Sequence, residues 1–166
     1  MARYGKQVLP NLTYLPNGEV VELDGGIRVG GIGGCFGSSN YERKSDELKG
    51  YAKRHFTRDE IEKLSGSGKL DILLLHDAPR GFEFVKHFRD NQERRYQSTA
   101  LGLAEVVSQT MPRICFFGHH HVRTTAEVNG IKCFGLNNVG YPGNLISIEM
   151  KSSVEGYIKL GEWPVK

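Results

Sequence analysis

Two short apolar runs, each followed at once by histidine, constrain the fold of this chain more than any other feature. Residues 70–75 (Leu-Asp-Ile-Leu-Leu-Leu) run directly into His76, and residues 114–117 (Ile-Cys-Phe-Phe) run into a Gly-His-His-His segment at 118–121. Apolar runs of this length are typical of strands that are covered on both faces, as in parallel sheets. The two runs therefore predict two buried strands of an α/β sheet, with histidines at their carboxyl ends.

The segment between the two runs predicts how the strands are related. Residues 98–110 carry apolar side chains at helical spacing, Ser98 is a suitable N-cap, and Pro112 ends the helix. Strands that are joined by a helical crossover lie parallel in one sheet, so their carboxyl ends meet at one edge. Neutral imidazole is the commonest metal ligand, and the converging histidines therefore indicate a metal site. For either histidine group taken alone, a solvated polar turn is the alternative.

The remaining sequence predicts many strands and few helices. Asp24-Gly25-Gly26 and Asn129-Gly130 are hairpin turns, and the capping box that begins at Thr57 opens a short helix to about residue 64. The further strand candidates are 12–15, 19–23, 27–32, 123–128, 131–134, 145–150 and 155–160, and the charged segment 80–97 is predicted to be a long surface excursion.

Composition limits the class of protein. The chain has 166 residues, which fits a single domain over residues 1–166, and its net charge of +3 does not by itself indicate a nucleic-acid partner. No stretch has the length and apolarity of a membrane span or of a signal peptide, so we expect a cytoplasmic protein without membrane association. Cys35, Cys115 and Cys133 lack CxxC spacing and are predicted to be reduced, packed thiols.

The order of these motifs resembles that of the calcineurin-like metallophosphoesterases. Leu-Leu-Leu-His76-Asp-Ala-Pro followed by Gly118-His119-x-His121 is similar to the strand-end histidine and the later Gly-His-x-His motif of that family. The glycine-rich stretch at 30–34 resembles the lariat-debranching branch of the family. The resemblance runs from about residue 9 to residue 150 and implies an α/β fold. The chain would be the C-terminal part of a four-layer αββα sandwich, strand-rich with few helices.

The resemblance also implies an activity and a site. It implies a phosphatase or phosphodiesterase with a two-metal centre, in which His76 and His119 bind one ion and His121 binds the other. His120 stands at the variable position and would not be a ligand. The ions would be Mn, Fe, Zn or Mg, since two divalent ions can clamp a phosphate and lower the pKa of a bound water. The implied partner is a phosphoester substrate, which includes nucleotides and nucleic acids.

The chain also departs from the family pattern. The Asp-x-His, Gly-Asp and Gly-Asn-His motifs that precede the strand-end histidine in the family are missing, so no catalytic residue is identified and only the C-terminal half is matched. Three histidines without a carboxylate are incomplete for two hard ions, although one zinc ion with three histidines is chemically possible. The alternative is therefore a non-catalytic half, either truncated or split, or a binding module. Such a half is expected to form a homo-oligomer or to pair with the missing N-terminal half.

Basic clusters provide candidate substrate-binding residues. Residues 53–55 (Lys-Arg-His) lie close in sequence to Arg58, and the charged segment after Pro79 begins with Arg80. Such clusters are often only solvated surface, but they could also steer an anionic substrate toward a cleft. We therefore assign His55, Arg58 and Arg80, together with Asp77, as candidate substrate-binding residues. Asp77 is alternatively a partner that orients a ligand histidine, or a loop cap.

Overall fold

The computed structural model describes residues 6–9, 12–79, 102–150 and 158–162. Within these ranges there are two α-helices, α1 (Arg58–Ser65) and α2 (102–110). The strands in chain order are β1 (Lys6–Leu9), β2 (Leu12–Tyr14), β3 (Val20–Leu23), β4 (Ile27–Ile32), β5 (Cys35–Phe36), β6 (His55–Phe56), β7 (Ile72–Leu75), β8 (Ile114–Phe117), β9 (Thr124–Val128), β10 (Ile131–Gly135), β11 (Ile146–Met150) and β12 (Ile158–Glu162).

A mixed sheet of six strands, in the order β3-β4-β7-β8-β10-β9, forms the centre of the molecule. The four inner strands are parallel, and the edge strands β3 and β9 pair antiparallel with their neighbours. Ile32 pairs with Leu75, and Leu75 pairs with Phe117, so β4, β7 and β8 end at the same edge. The predicted parallel strands with converging carboxyl ends are therefore confirmed.

Side chains of the sheet alternate between two apolar layers, as expected for strands covered on both faces. On one face Leu73 of β7 packs with Leu64 of α1 and Val106 of α2 in the main core. Ile72, one residue earlier, lies in a second cluster against which Ile146 of β11 packs. The chain is thus α/β and strand-rich, as expected for the C-terminal part of a metallophosphoesterase sandwich.

Local signals in the sequence account for the main turns and for the start of α1. The predicted capping box is present, because the Thr57 backbone N–H donates to Glu60 Oε2 at 2.9 Å while the Thr57 side chain binds the Glu60 backbone N–H. Asn129 and Gly130 both have positive φ, at 52° and 77°, as a two-residue hairpin turn of this type requires. A Cβ on Gly30 would lie 2.7 Å from Leu64 Cδ1, so this glycine lets α1 pack closely on β4.

The other strands form three two-stranded pairs, namely β1 with β2, β5 with β6 and β11 with β12. The predicted surface excursion at 80–97 lies outside the described residues, as do the start of the predicted helix at 98–101 and the first part of the last predicted strand. Among the helices that the structure describes, none has the length and apolarity needed to cross a membrane.

The two faces of β7 provide a test of this layering. Leu73 is fully buried in the main core, whereas Leu74 next to it is 41% exposed on the opposite face. Leu73→Ala is expected to lower the free energy of unfolding by about 2–5 kcal/mol, because it leaves a cavity in the core. Leu74→Ala is the matched control and should cost about 1 kcal/mol, since much of its surface already contacts water. Urea denaturation measures both losses, and equal losses would contradict the assignment of the two faces.

Candidate metal centre at three strand ends

His76 is held at the edge of the sheet by both neighbouring strands. It follows directly after the last residue of β7. Its backbone N–H donates to the Ile32 carbonyl of β4 at 3.0 Å, and its carbonyl accepts from the Gly118 N–H beyond β8 at 3.1 Å. Because the backbone is fixed on both sides, the imidazole starts from a defined position beside the β8 loop.

His119 meets His76 at this edge. The Nδ1 atom of His119 lies 3.0 Å from Nε2 of His76, so one ring donates a hydrogen bond to the other, and the ring centroids are 4.9 Å apart. His119 and His121 both have left-handed backbone conformations, with φ of 64° and 55°. Such conformations are unfavourable for residues with a Cβ, and they cluster at functional sites. The turn after β8 therefore brings the His119 ring into contact with His76, and the two left-handed residues raise the energy of the backbone there.

Cys35 is the third potential ligand at the same place. The ligand atoms of Cys35, His76 and His119 all lie within 4.8 Å of one another. The chain turns after β4 at Gly34, whose φ is 83° and where a Cβ would overlap the Arg54 carbonyl oxygen. Cys35 then pairs with His55 in the short β5–β6 ladder, which fixes its backbone beside the histidines.

Local environment sets the protonation of these groups. Burial lowers the pKa of His76, and the nearby imidazole of His119 lowers it further, so the ring is neutral at neutral pH. Burial raises the pKa of Cys35, the Asp77 carboxylate adds to the increase, and the Arg54 guanidinium opposes it. Without a metal, the Cys35 side chain is therefore a thiol and not a thiolate.

A buried hydrogen bond between Asp77 and His120 joins the loops that carry the two histidines. His120 Nε2 lies 2.7 Å from Asp77 Oδ1, and the two side chains are only 5% and 6% exposed. A carboxylate oxygen accepts hydrogen bonds, so the Nε2–H of His120 is assigned as the donor in this contact. The same oxygen accepts the Ala78 backbone N–H at 2.8 Å. His120 thus has a structural contact that its variable position in the motif does not indicate.

The other candidate residues lie in different surroundings. His121 is exposed, and the ligand group that the described residues form does not include it. The His55 ring contacts Asn40, and Arg58 forms an ion pair with Glu42. Arg80 lies outside the described residues. Metal binding by His121 and substrate binding by His55, Arg58, Arg80 and Asp77 stay predictions.

A cleft of about 600 Å³ adjoins His76 and Cys35. Lys53, Arg54 and Tyr14 are among the residues that line it, and Tyr14 is 59% exposed. The sequence pattern identified this basic cluster but assigned its function to His55 and Arg58, which do not line the cleft. Two cations beside a group of potential metal ligands form a suitable environment for an anion.

The donor atoms determine which ion fits. Two imidazoles and a thiol suit a borderline ion such as Zn²⁺, whereas Mg²⁺ and Mn²⁺ prefer oxygen ligands. Within the described residues, the ligand group contains no carboxylate, because the nearby Asp77 is bound to His120. The group therefore fits one divalent ion and does not by itself supply the oxygen ligands of two hard ions.

Parallel inner strands with potential metal ligands at adjacent strand ends are the arrangement expected of the metallophosphoesterase class. No family model matches the chain. Its sequence is similar to the lariat debranching enzymes of Schizosaccharomyces pombe (31% identical over 144 residues), Drosophila melanogaster (30% over 141) and Homo sapiens (29% over 142). The homologues of this chain are thus lariat debranching enzymes, which belong to the metallophosphoesterase superfamily.

These matches cover 76%, 75% and 74% of this chain, but only 30%, 26% and 25% of the respective relatives. The chain therefore spans less than a third of the length of the curated relatives it matches. The histidine motifs and the glycine-rich stretch at 30–34 predicted this relationship to the superfamily and to its lariat-debranching branch.

The buried Asp77–His120 contact yields a stability prediction. Asp77→Ala and His120→Ala should each lower the free energy of unfolding by about 1–3 kcal/mol, because each leaves a buried polar partner unsatisfied. The double variant should lose less than the sum of the two, with a coupling of about 0.5–3 kcal/mol. Urea denaturation of the four proteins measures this coupling.

The exposed pair of Arg58 and Glu42 is the matched control. The two side chains are 54% and 65% exposed, so their coupling should be at most about 1 kcal/mol. Strictly additive losses at Asp77 and His120 would contradict the proposed contact between the loops.

Proposed function

We propose that a protein containing this chain is a metal-dependent phosphodiesterase that hydrolyses phosphoric esters at the edge where β4, β7 and β8 end. The observation that carries the proposal is the contact between His76 and His119 beside a cleft lined by cations, in a chain similar to lariat debranching enzymes. The alternative of a non-catalytic binding module is not favoured, because the relatives are enzymes by name.

His76 and His119 are proposed to hold one divalent ion. A bound ion of this kind polarises a phosphoryl oxygen and lowers the pKa of an attacking water. His121, on the same loop, is the candidate ligand of a second ion, whose oxygen ligands would come from residues outside this chain's ligand group. The contact of Asp77 with His120 positions the loop, so that His119 stays within reach of His76.

Lys53 and Arg54 are proposed to bind the phosphate of the substrate. They line the cleft next to His76, so they can neutralise the charge of a phosphodiester while the scissile bond lies at the histidines. Tyr14 is exposed at the same cleft and offers a ring on which a base can stack. We therefore propose a nucleic-acid phosphodiester as the substrate class, in agreement with the name of the relatives.

Hydrolysis of a branched and of a linear oligonucleotide, in the presence of Mn²⁺ or Zn²⁺, tests the proposal. The assay is run on this chain and on a longer polypeptide that includes the sequence encoded upstream, since the chain matches only part of its relatives. His119→Ala is expected to lower kcat/KM at least about 100-fold, because a ligand of the ion is lost. Lys132→Ala is the control and should leave kcat/KM unchanged, since Lys132 lies at the opposite end of the parallel strands.

A longer polypeptide that is folded, binds metal and is inert on every phosphoester would overturn the proposed function. An unchanged kcat/KM in His119→Ala would show that His119 is not part of the site, but the proposed activity would still stand.

The cleft makes a separate prediction about binding. Arg54→Ala is expected to weaken binding of a single-stranded oligonucleotide and to reduce the slope of log K against log salt by about 0.7, the value for one lost phosphate contact. Fluorescence anisotropy at several salt concentrations measures both quantities. Lys132→Ala is again the control, and an equal effect of the two substitutions would indicate that the cleft is not the binding surface.

A further inference from the structure

We propose that Cys35 is a third protein ligand, so that this chain by itself binds one zinc-type ion through the Cys35 thiolate and the imidazoles of His76 and His119. The inference deepens the proposed function and rests on it only in using the two histidines as ligands. It adds a ligand that the histidine motifs do not contain, and it assigns the ion to the class that binds sulfur.

The topology places one proposed ligand just after the end of each of three adjacent parallel strands. His76 follows β7 by one residue, His119 follows β8 by two, and Cys35 follows β4 by three. These strands are neighbours in the sheet and end in register, with Ile32, Leu75 and Phe117 side by side. The three side chains thus start from one edge of the sheet, although Cys35 and His119 are 84 positions apart in the sequence.

The backbone around Cys35 is fixed by two independent features. The left-handed turn at Gly34 can accept only glycine without a clash with Arg54, and the β5–β6 ladder then pairs Cys35 with His55. Phe36, the next residue, packs against the main core and holds the opposite side of the short strand. Cys35 is therefore positioned by the fold, and its side chain is only partly buried.

The distances suit a single ion. Two ligands of a tetrahedral zinc ion, bound at about 2.0–2.3 Å, lie roughly 3.3–3.7 Å apart. The two imidazole nitrogens are already 3.0 Å apart, and the three ligand atoms lie within 4.8 Å of one another. Binding of one ion requires only that the three ligand atoms move closer together by side-chain rotation. When the ion binds, the thiol gives up its proton to solvent. The imidazole nitrogen that donates in the hydrogen bond between His76 and His119 also loses its proton, and the other nitrogen of the same ring takes up a proton from solvent. The sulfur and the two ring nitrogens can then each donate an electron pair to the metal.

The other two thiols of the chain are in a different environment. Cys115 and Cys133 are fully buried free thiols in the main core, and they lie opposite each other on the neighbouring strands β8 and β10. Neither belongs to the ligand group with His76. Three protein ligands with nitrogen and sulfur donors and an open fourth position are typical of catalytic zinc sites, and such donors disfavour Mg²⁺.

Optical spectroscopy of the whole chain with Co²⁺ as the probe tests the inference without any assay of activity. Bound Co²⁺ should show a near-ultraviolet sulfur-to-cobalt charge-transfer band together with the visible bands of a tetrahedral ion. Cys35→Ser should abolish the charge-transfer band and weaken Zn²⁺ affinity by at least about tenfold, which is the lower limit for residues that only support a ligand. Cys133→Ala is the matched control and should keep the band. Circular dichroism verifies that both variants are folded.

Thiol reactivity of the unaltered chain gives a second readout. Cys35 is the most accessible of the three thiols, so it should react with a disulfide reagent before the two buried thiols do, and Zn²⁺ should slow that reaction. Cobalt bound without a charge-transfer band, or a band that survives in Cys35→Ser, would overturn the inference and leave the proposed function standing. Failure of the folded chain to bind Co²⁺ or Zn²⁺ would also overturn it, and hydrolysis by the longer polypeptide would then be judged separately.

Discussion

The parallel pairing of β4, β7 and β8 is the interaction on which the rest of the structure depends. Because Ile32, Leu75 and Phe117 lie side by side, the residues that follow them emerge at one edge of the sheet. Backbone hydrogen bonds continue this pairing past the strands, through His76 to both neighbours. A shift of one strand by one residue would turn its side chains to the other face and separate the candidate ligands.

Packing on both faces of the sheet holds this register. The two helices cover one face, and Gly30 lets Leu64 approach β4 closely. At the edge, the buried contact of Asp77 with His120 links the loop after β7 to the loop after β8. The apolar core therefore sets where the strands end, and a single polar contact between the loops supports the position of His119.

Much of this architecture could be predicted from local sequence signals. The capping box at Thr57, the Asn129-Gly130 turn and the apolar runs before His76 and His119 each specify a structure over a few residues. Cys35 was harder to identify, because it lies outside the motifs that carry the resemblance and follows β4 only after a turn. The position of Cys35, three residues after a predicted strand, was the only indication in the sequence. It points to a shared site only when the pairing of β4 with β7 is known.

The sequence by itself determined the strands of the central sheet, the histidines at their ends and the relationship to the metallophosphoesterases, because these depend on residue types at short spacing. It did not indicate the short strands β1, β5 and β6. Only the tertiary structure decided that the ligand atoms of Cys35 lie with those of His76 and His119, and that His120 binds Asp77. It also placed Lys53 and Arg54, and not His55 and Arg58, along the cleft. These outcomes depend on strand order and loop conformation, which bring together atoms that are far apart in the chain and which no local pattern encodes.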